Sequence, residues 1–117
     1  MVRSYVPERG DVVDINFSPQ EGREQSGRRP AIVLSPASYN GKVGLAVFCP
    51  ITNQKKGYIF EVDIPDGEAV TGVILSDQVK SLDWHKRDAK RKCALPDEIV
   101  EDVLAKIAAL LNPQEQP

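Results

Sequence analysis

The chain has 117 residues, enough for one hydrophobic core and too few for two. Its 15 Lys and Arg against 17 Asp and Glu leave a net charge of -2, without the basic excess that usually marks a nucleic-acid partner. No run approaches the roughly 18 apolar residues of a membrane span, and the opening MVRSYVPERG lacks the apolar centre of a signal peptide, so a cytoplasmic protein is expected.

In chain order, residues 10–18 (GDVVDINFS) alternate, with Val13, Ile15 and Phe17 on one face and Asp14 and Asn16 on the other, the period of a half-buried strand. Residues 19–29 (PQEGREQSGRR) form a polar connection that is long for a hairpin. Residues 30–35 (PAIVLS) and 44–52 (GLAVFCPIT) are apolar runs rich in β-branched side chains and fit interior strands, with Pro50 marking a break or bulge in the second. Residues 58–64 alternate with Tyr58, Phe60, Val62 and Ile64 inward, and residues 72–84 (GVILSDQVKSLDW) supply one or two more short strands, about six in all. Turn signals fall at Pro19 to Gly22, Pro36 to Gly41, Asn53 to Gly57 and Pro65 to Gly67. Short strands with tight connections predict a small β-barrel rather than a parallel sheet.

Residues 80–92 gather Lys80, Lys86, Arg87, Lys90, Arg91 and Lys92 against Asp83 and Asp88, a local basic face on an acidic chain. Beyond it, Ile99, Val103, Ile107 and Leu111, with Val100 and Leu104, recur at helical spacing. They predict an amphipathic helix with Pro96 in its first turn, Asp97 and Glu98 at its positive end, and Asn112-Pro113 as its stop. The expected organisation is one domain over residues 1–112 and a short tail over 113–117. The expected fold class is mainly β, a small α+β chain. Cys49 and Cys93 stand far apart with no CxxC or His/Cys grouping, so free thiols are expected, Cys49 in the core.

Candidate chemistry is sparse. The loop over 19–29 reads either as a binding or lid element or as an ordinary hairpin tip. Arg29 closes it, its backbone anchored by the following strand, and its guanidinium suits a phosphate. Thr52 ends an apolar strand, where threonine is commonly only a terminator, and Lys55 and Lys56 read equally as a solvated charge pair. The single histidine, His85, sits in a charged run that favours the surface. There is no His pair, no Cys/His nucleophile arrangement and no carboxylate-rich cluster for a metal, so no cofactor is expected.

Four blocks in order, RSYVPERGDVV, EQSGRRPAIVLSP, PIT followed after four residues by GYIFEV, and SDQVKSLDW, resemble the successive signatures of the MazF/PemK (Kid) toxins. The resemblance spans nearly the whole chain, and the second block is its most specific part. It implies an SH3-like β-barrel of the CcdB/PemK/MazF type, a homodimer, and sequence-specific, metal-independent cleavage of single-stranded RNA. In that chemistry the RNA's own 2′-hydroxyl attacks, leaving a 2′,3′-cyclic phosphate and a 5′-hydroxyl. Carried over by position, the catalytic arginine and threonine fall on Arg29 and Thr52, and Glu24 falls on an assisting acid or base. Gln25, Arg28, Lys55, Lys56 and Gln78 fall where relatives handle bases or backbone. The implied partner is an acidic MazE-like antitoxin, with DNA touched only through the toxin-antitoxin complex. Arg23 departs from the small residue common before Glu24, and Arg28 adds a second cation beside Arg29, which bears on the recognised sequence.

Two other readings differ in class. A CcdB-like toxin would poison DNA gyrase by protein contact without catalysis. Such toxins end their helix in a tryptophan-containing terminus, whereas this helix ends in ALLNPQEQP and the only tryptophan is Trp84. A non-catalytic RNA-binding barrel would present stacking aromatics, for which Tyr39 and Tyr58 are the candidates.

Overall fold

A computed structural model describes residues 5–17 and 27–113. The described elements, in order, are β1 (Asp11–Asn16), β2 (Arg28–Val33), α1 (Ala37–Val43), β3 (Leu45–Thr52), β4 (Glu61–Asp63), β5 (Val73–Leu75), β6 (Lys80–Asp83), β7 (Lys90–Ala94) and α2 (Asp97–Leu111). All strand pairings are antiparallel. The sheet runs β4-β5-β3-β2-β1-β7, and β6 also pairs β3. Strand β3 is long enough to serve two neighbours: Leu45 to Phe48 pair β6, and Ile51 and Thr52 pair β5.

The apolar runs of β1, β2 and β3 arise because this part of the sheet is covered on both faces, so alternation in polarity is lost. Val12, Ile32, Cys49 and Ile51 enter one core, which α2 closes with Ile99, Val100 and Val103. Val13, Ala31, Val33 and Phe48, their chain neighbours, enter a second core with Ile15, Phe17, Ala46 and Leu82. Trp84 and Tyr5 pack on the rim of that second core. The face shared by Val13, Ile15 and Phe17 is as the alternation predicts, each being fully buried.

Four expectations change. Pro36 to Gly41 is not a simple turn but opens α1, whose Asn40 is buried and whose side-chain amide donates to the carbonyls of Pro7 and Ser35. The basic run contains β7, an edge strand whose first three residues are exposed, so no apolar period betrays it. Strand β4 covers only Glu61–Asp63; Val62 and Ile64 are inward as expected, but Tyr58 is exposed and Phe60 half-buried. Pro96 lies outside α2 as its N-cap, in extended backbone at φ -60° and ψ 152°, with Asp97 and Glu98 forming the acidic first turn. The described strands thus number seven rather than about six.

Candidate active site

The site begins with the pairing of β2 and β3. Their ladder runs Val33↔Phe48, Ile32↔Cys49, Ala31↔Pro50. The ladder ends there: Arg29 lies two residues further out on β2, and Thr52 lies two residues further out on β3, where it pairs β5 instead. By strand alternation Arg29 keeps the parity of Ala31 and Thr52 that of Pro50, and Arg29 is not among the residues lining the cleft beside Thr52. Arg29 is half-buried and pairs with Ile15 of β1, which fixes its backbone from the other side.

Thr52 is held tightly. Its backbone pairs with Val73 of β5, and the Gly72 before Val73 approaches so closely that a Cβ there would lie 2.3 Å from the Thr52 carbonyl oxygen. Only glycine meets that spacing, and its φ of 115° adds a second reason. Thr52 is 8% exposed, and its Oγ1 accepts the Gln54 N–H at 3.1 Å. Accepting from the backbone leaves the hydroxyl proton for donation to another oxygen.

Beyond Thr52 a narrow cleft of about 60 Å³ is lined by Thr52, Gln54, Lys56, Tyr58, Glu61, Leu75 and Gln78. The structure therefore gathers Thr52 and Lys56 of one segment with Gln78 of another. Gln54, Tyr58 and Glu61 join them without having been singled out for this site. Glu61 organises the turn: its two carboxylate oxygens accept the Lys56 and Gly57 N–H groups, each at 2.8 Å. Tyr58 donates its hydroxyl proton to Asp77 at 2.8 Å, and burial followed by that carboxylate pushes the phenol up to about 12. A clue to Glu61 existed in the sequence, since an acidic residue faces the polar turn NQKKG across four positions, but only the turn geometry gives it a role.

Other expected residues are placed apart from the cleft. Lys55 Nζ lies 2.9 Å from Asp63 Oδ1, and that carboxylate holds the Lys55 ammonium above its ordinary range. Arg28 reaches across β1, donating to the carbonyls of Asp14 at 2.9 Å and Asp88 at 2.7 Å. Glu24 and Gln25, with Arg23, lie outside the described residues. Among the described residues no group of three or more His, Cys, Asp or Glu is placed to hold a metal ion, and no helix is long and apolar enough to cross a membrane. Cys49 and Cys93 are free thiols, and Cys49 is buried as expected.

With this geometry in hand, comparison with known proteins is decisive. Residues 8–111 match the family described as PemK-like, MazF-like toxin of type II toxin-antitoxin system. The chain belongs to this family. It is 46% identical over 112 residues to the endoribonuclease toxin MazF of Escherichia coli K12, covering 96% of this chain and 100% of that one. It is 38% identical over 118 residues to the endoribonuclease toxin ChpB of the same strain, covering 96% and 100%. Among solved structures, MazF from Deinococcus radiodurans matches with a TM-score of 0.90 at 49% identity, over 93% of this chain and 99% of the other. The mainly β fold with its C-terminal helix is thus the MazF fold, and the protein is a MazF-like endoribonuclease toxin.

Proposed function

We propose that the protein cleaves single-stranded RNA at a specific sequence without a metal ion, through attack of the 2′-hydroxyl on the adjacent phosphate. What supports this reading is that Arg29 and Thr52 each lie two residues beyond the Ala31↔Pro50 pair, on the adjacent strands β2 and β3. Such a reaction needs the 2′-hydroxyl proton removed, charge on the phosphorane stabilised, and a proton delivered to the leaving 5′-oxygen. The products are a 2′,3′-cyclic phosphate and a 5′-hydroxyl.

Arg29 is assigned to the phosphorane, because a planar guanidinium meets two phosphate oxygens at once and stays charged. It is also assigned as the proton source for the 5′-oxygen, and the base is a separate group. Thr52, fixed by Gly72 and by the Gln54 N–H, donates to a phosphate oxygen and holds the in-line angle. Glu24 is assigned as base. Gln25, Arg28, Lys55, Lys56 and Gln78 are assigned to RNA, and the cleft holding Lys56 and Gln78 beside Thr52 supports the last two.

The working unit is a homodimer with the RNA groove between subunits. An apolar groove of about 440 Å³ with Leu34, Tyr39, Val47, Val79, Leu104 and Ile107 supports self-association, since a patch of this kind on a single chain calls for a cover. Solved MazE-MazF structures from Deinococcus radiodurans resemble this chain at TM-score 0.81 and 44% identity. By analogy an acidic MazE-like antitoxin restrains this toxin, its tail lying over Arg28, Arg29, Lys55 and Lys56. Arg28 pairs with Asp88 at 3.6 Å and Lys55 with Asp63 at 2.9 Å, so the tail's carboxylates would replace these intrachain partners.

Purified protein incubated with a long single-stranded RNA in excess EDTA tests the reading. Discrete cuts with cyclic-phosphate ends are expected, and a single 2′-deoxy sugar 5′ to the scissile phosphate should permit binding and abolish cutting. Cleavage that needs an added divalent ion, or that survives the 2′-deoxy substitution, would overturn it.

A further inference from the structure

The basic run over 84–92 takes no part in the chemistry above, yet it carries five Lys or Arg residues against the single acid Asp88. It is joined to a rigid aromatic cleft. We propose that this surface holds the RNA strand outside the cleaved bond, stacking one base in the cleft and pairing flanking phosphates with Lys86 and Lys90. The ligand class rests on the ribonuclease reading.

The cleft, about 210 Å³, is formed by Tyr5, Trp84, His85, Asp88 and Ala89. That volume suits one flat ring rather than a larger ligand. Both large rings are already fixed at their polar ends. Tyr5 donates its hydroxyl proton to the buried Asp11 carboxylate, and Trp84 Nε1 donates to the Asn40 carbonyl at 3.0 Å. Their bodies pack on the second core, and the His85 ring stands edge-on to Trp84 at 83° and 6.3 Å. A platform ordered before binding loses little entropy when a base arrives.

Cations border it. Lys86 and Lys90 are exposed, and Asp88, the acid of the cleft, is shared between Lys90 at 3.7 Å and Arg28 at 3.6 Å. Positive charge therefore exceeds negative at the rim, and charged rim with stacking wall is the pairing used for single-stranded nucleic acid. An acidic peptide would use the cations and leave the ring faces unused.

The surface is also continuous with the catalytic end of β2. Asn16, the β1 partner of Arg28, accepts from Arg87 NH1 through its carbonyl at 3.0 Å and donates its N–H to the Arg87 carbonyl at 3.2 Å. Arg28, beside Arg29 in β2, also reaches this turn directly through the Asp88 carbonyl at 2.7 Å.

The test uses the full chain and two RNAs sharing the mapped cleavage sequence, one minimal and one about ten nucleotides longer at each end. Both carry the 2′-deoxy block, and binding is measured at several salt concentrations. Lys86→Glu with Lys90→Glu should weaken the long RNA about tenfold or more and leave the minimal RNA unchanged. The salt slope for the long RNA should fall by about 1.4, two phosphates at roughly 0.7 each. Photocrosslinking of 4-thiouridine RNA to the unaltered protein, free of any folding risk, should label Tyr5, Trp84 or His85. Equal weakening of both RNAs, no weakening, absence of crosslinks from the cleft, or loss of a poly-glutamate peptide's binding in place of RNA binding would overturn the proposal. Failure of the wild type to cut unmodified RNA would sink the ribonuclease reading, while binding of the blocked RNA still decides this one.

Discussion

The Arg28 guanidinium donates to the Asp88 carbonyl at 2.7 Å while NH1 sits 3.6 Å from the Asp88 carboxylate, so this arginine bolts the 84–88 turn to the sheet. The family resemblance implies RNA contact for it, and this structural role is additional. Arg28→Ala should therefore lower stability by about 1 kcal/mol in denaturant titration, the partly exposed pair itself contributing little and the two charged bonds to carbonyls most of it. RNA affinity should fall in a salt-dependent way with a nearly normal cleavage step. A variant with unchanged stability and a lost chemical step would reverse the assignment.

Thr52 and Gly72 form one unit. Thr52→Val keeps the shape and removes the hydroxyl, and single-turnover cleavage should slow by about 10- to 100-fold, whereas Thr52→Ser should stay near wild type. Gly72→Ala should cost about 2 kcal/mol or more of stability, because its Cβ meets the Thr52 carbonyl and its φ is positive. Thermal melts and cleavage rates on the same preparations check both, and an innocuous Gly72→Ala would show the close approach to be unimportant.

Lys55 and Lys56 should separate despite adjacency. Lys56 lines the cleft beside Thr52, while Lys55 is engaged with Asp63. Lys56→Ala is expected to weaken RNA binding more than Lys55→Ala. Charge reversal of both should weaken RNA and antitoxin together, since one surface serves both. Equilibrium binding to each ligand decides the point, and a change confined to one ligand would argue for separate surfaces.

What the sequence made legible follows from how each element is built. Strands β1, β2 and β3 and helix α2 announce themselves because their partners are apolar and periodic. Helix α1 has no such period; it is held by Asn40, whose amide reaches Pro7 and Ser35 and whose carbonyl receives Trp84, contacts made only by the folded chain. Strand β7 hides because an edge strand of Lys and Arg buries little beyond Cys93, which is half-exposed. Within the site, Arg29 and Thr52 were reached through the family blocks, and the structure places them near the ends of the adjacent strands β2 and β3. Glu61 and Gln54 could not be found that way, since they enter the cleft through a turn closed by backbone N–H groups.

The two thiols should differ in reactivity. Burial pushes the Cys49 thiol up to about 12, and burial likewise raises Cys93, which is partly exposed. At pH 8 about one Cys49 in ten thousand would be thiolate, and none is accessible. A disulfide reagent should label Cys93 slowly and Cys49 only after unfolding. Because the folded pKa is raised, this contribution to stability is complete below pH 9 and is lost as pH rises toward 12, so melting temperature should decline over that window. Rapid labelling of both thiols in the native protein would contradict the burial.

The central claim is that Arg29 stabilises the transition state. The direct measurement is the single-turnover cleavage rate of Arg29→Ala at saturating RNA, after circular dichroism and sedimentation show the variant folded and dimeric. The account predicts a fall of about two to four orders of magnitude with a modest change in affinity, and poor rescue by Arg29→Lys, which restores charge without the planar fork. Near-wild-type cleavage by the folded alanine variant would contradict it.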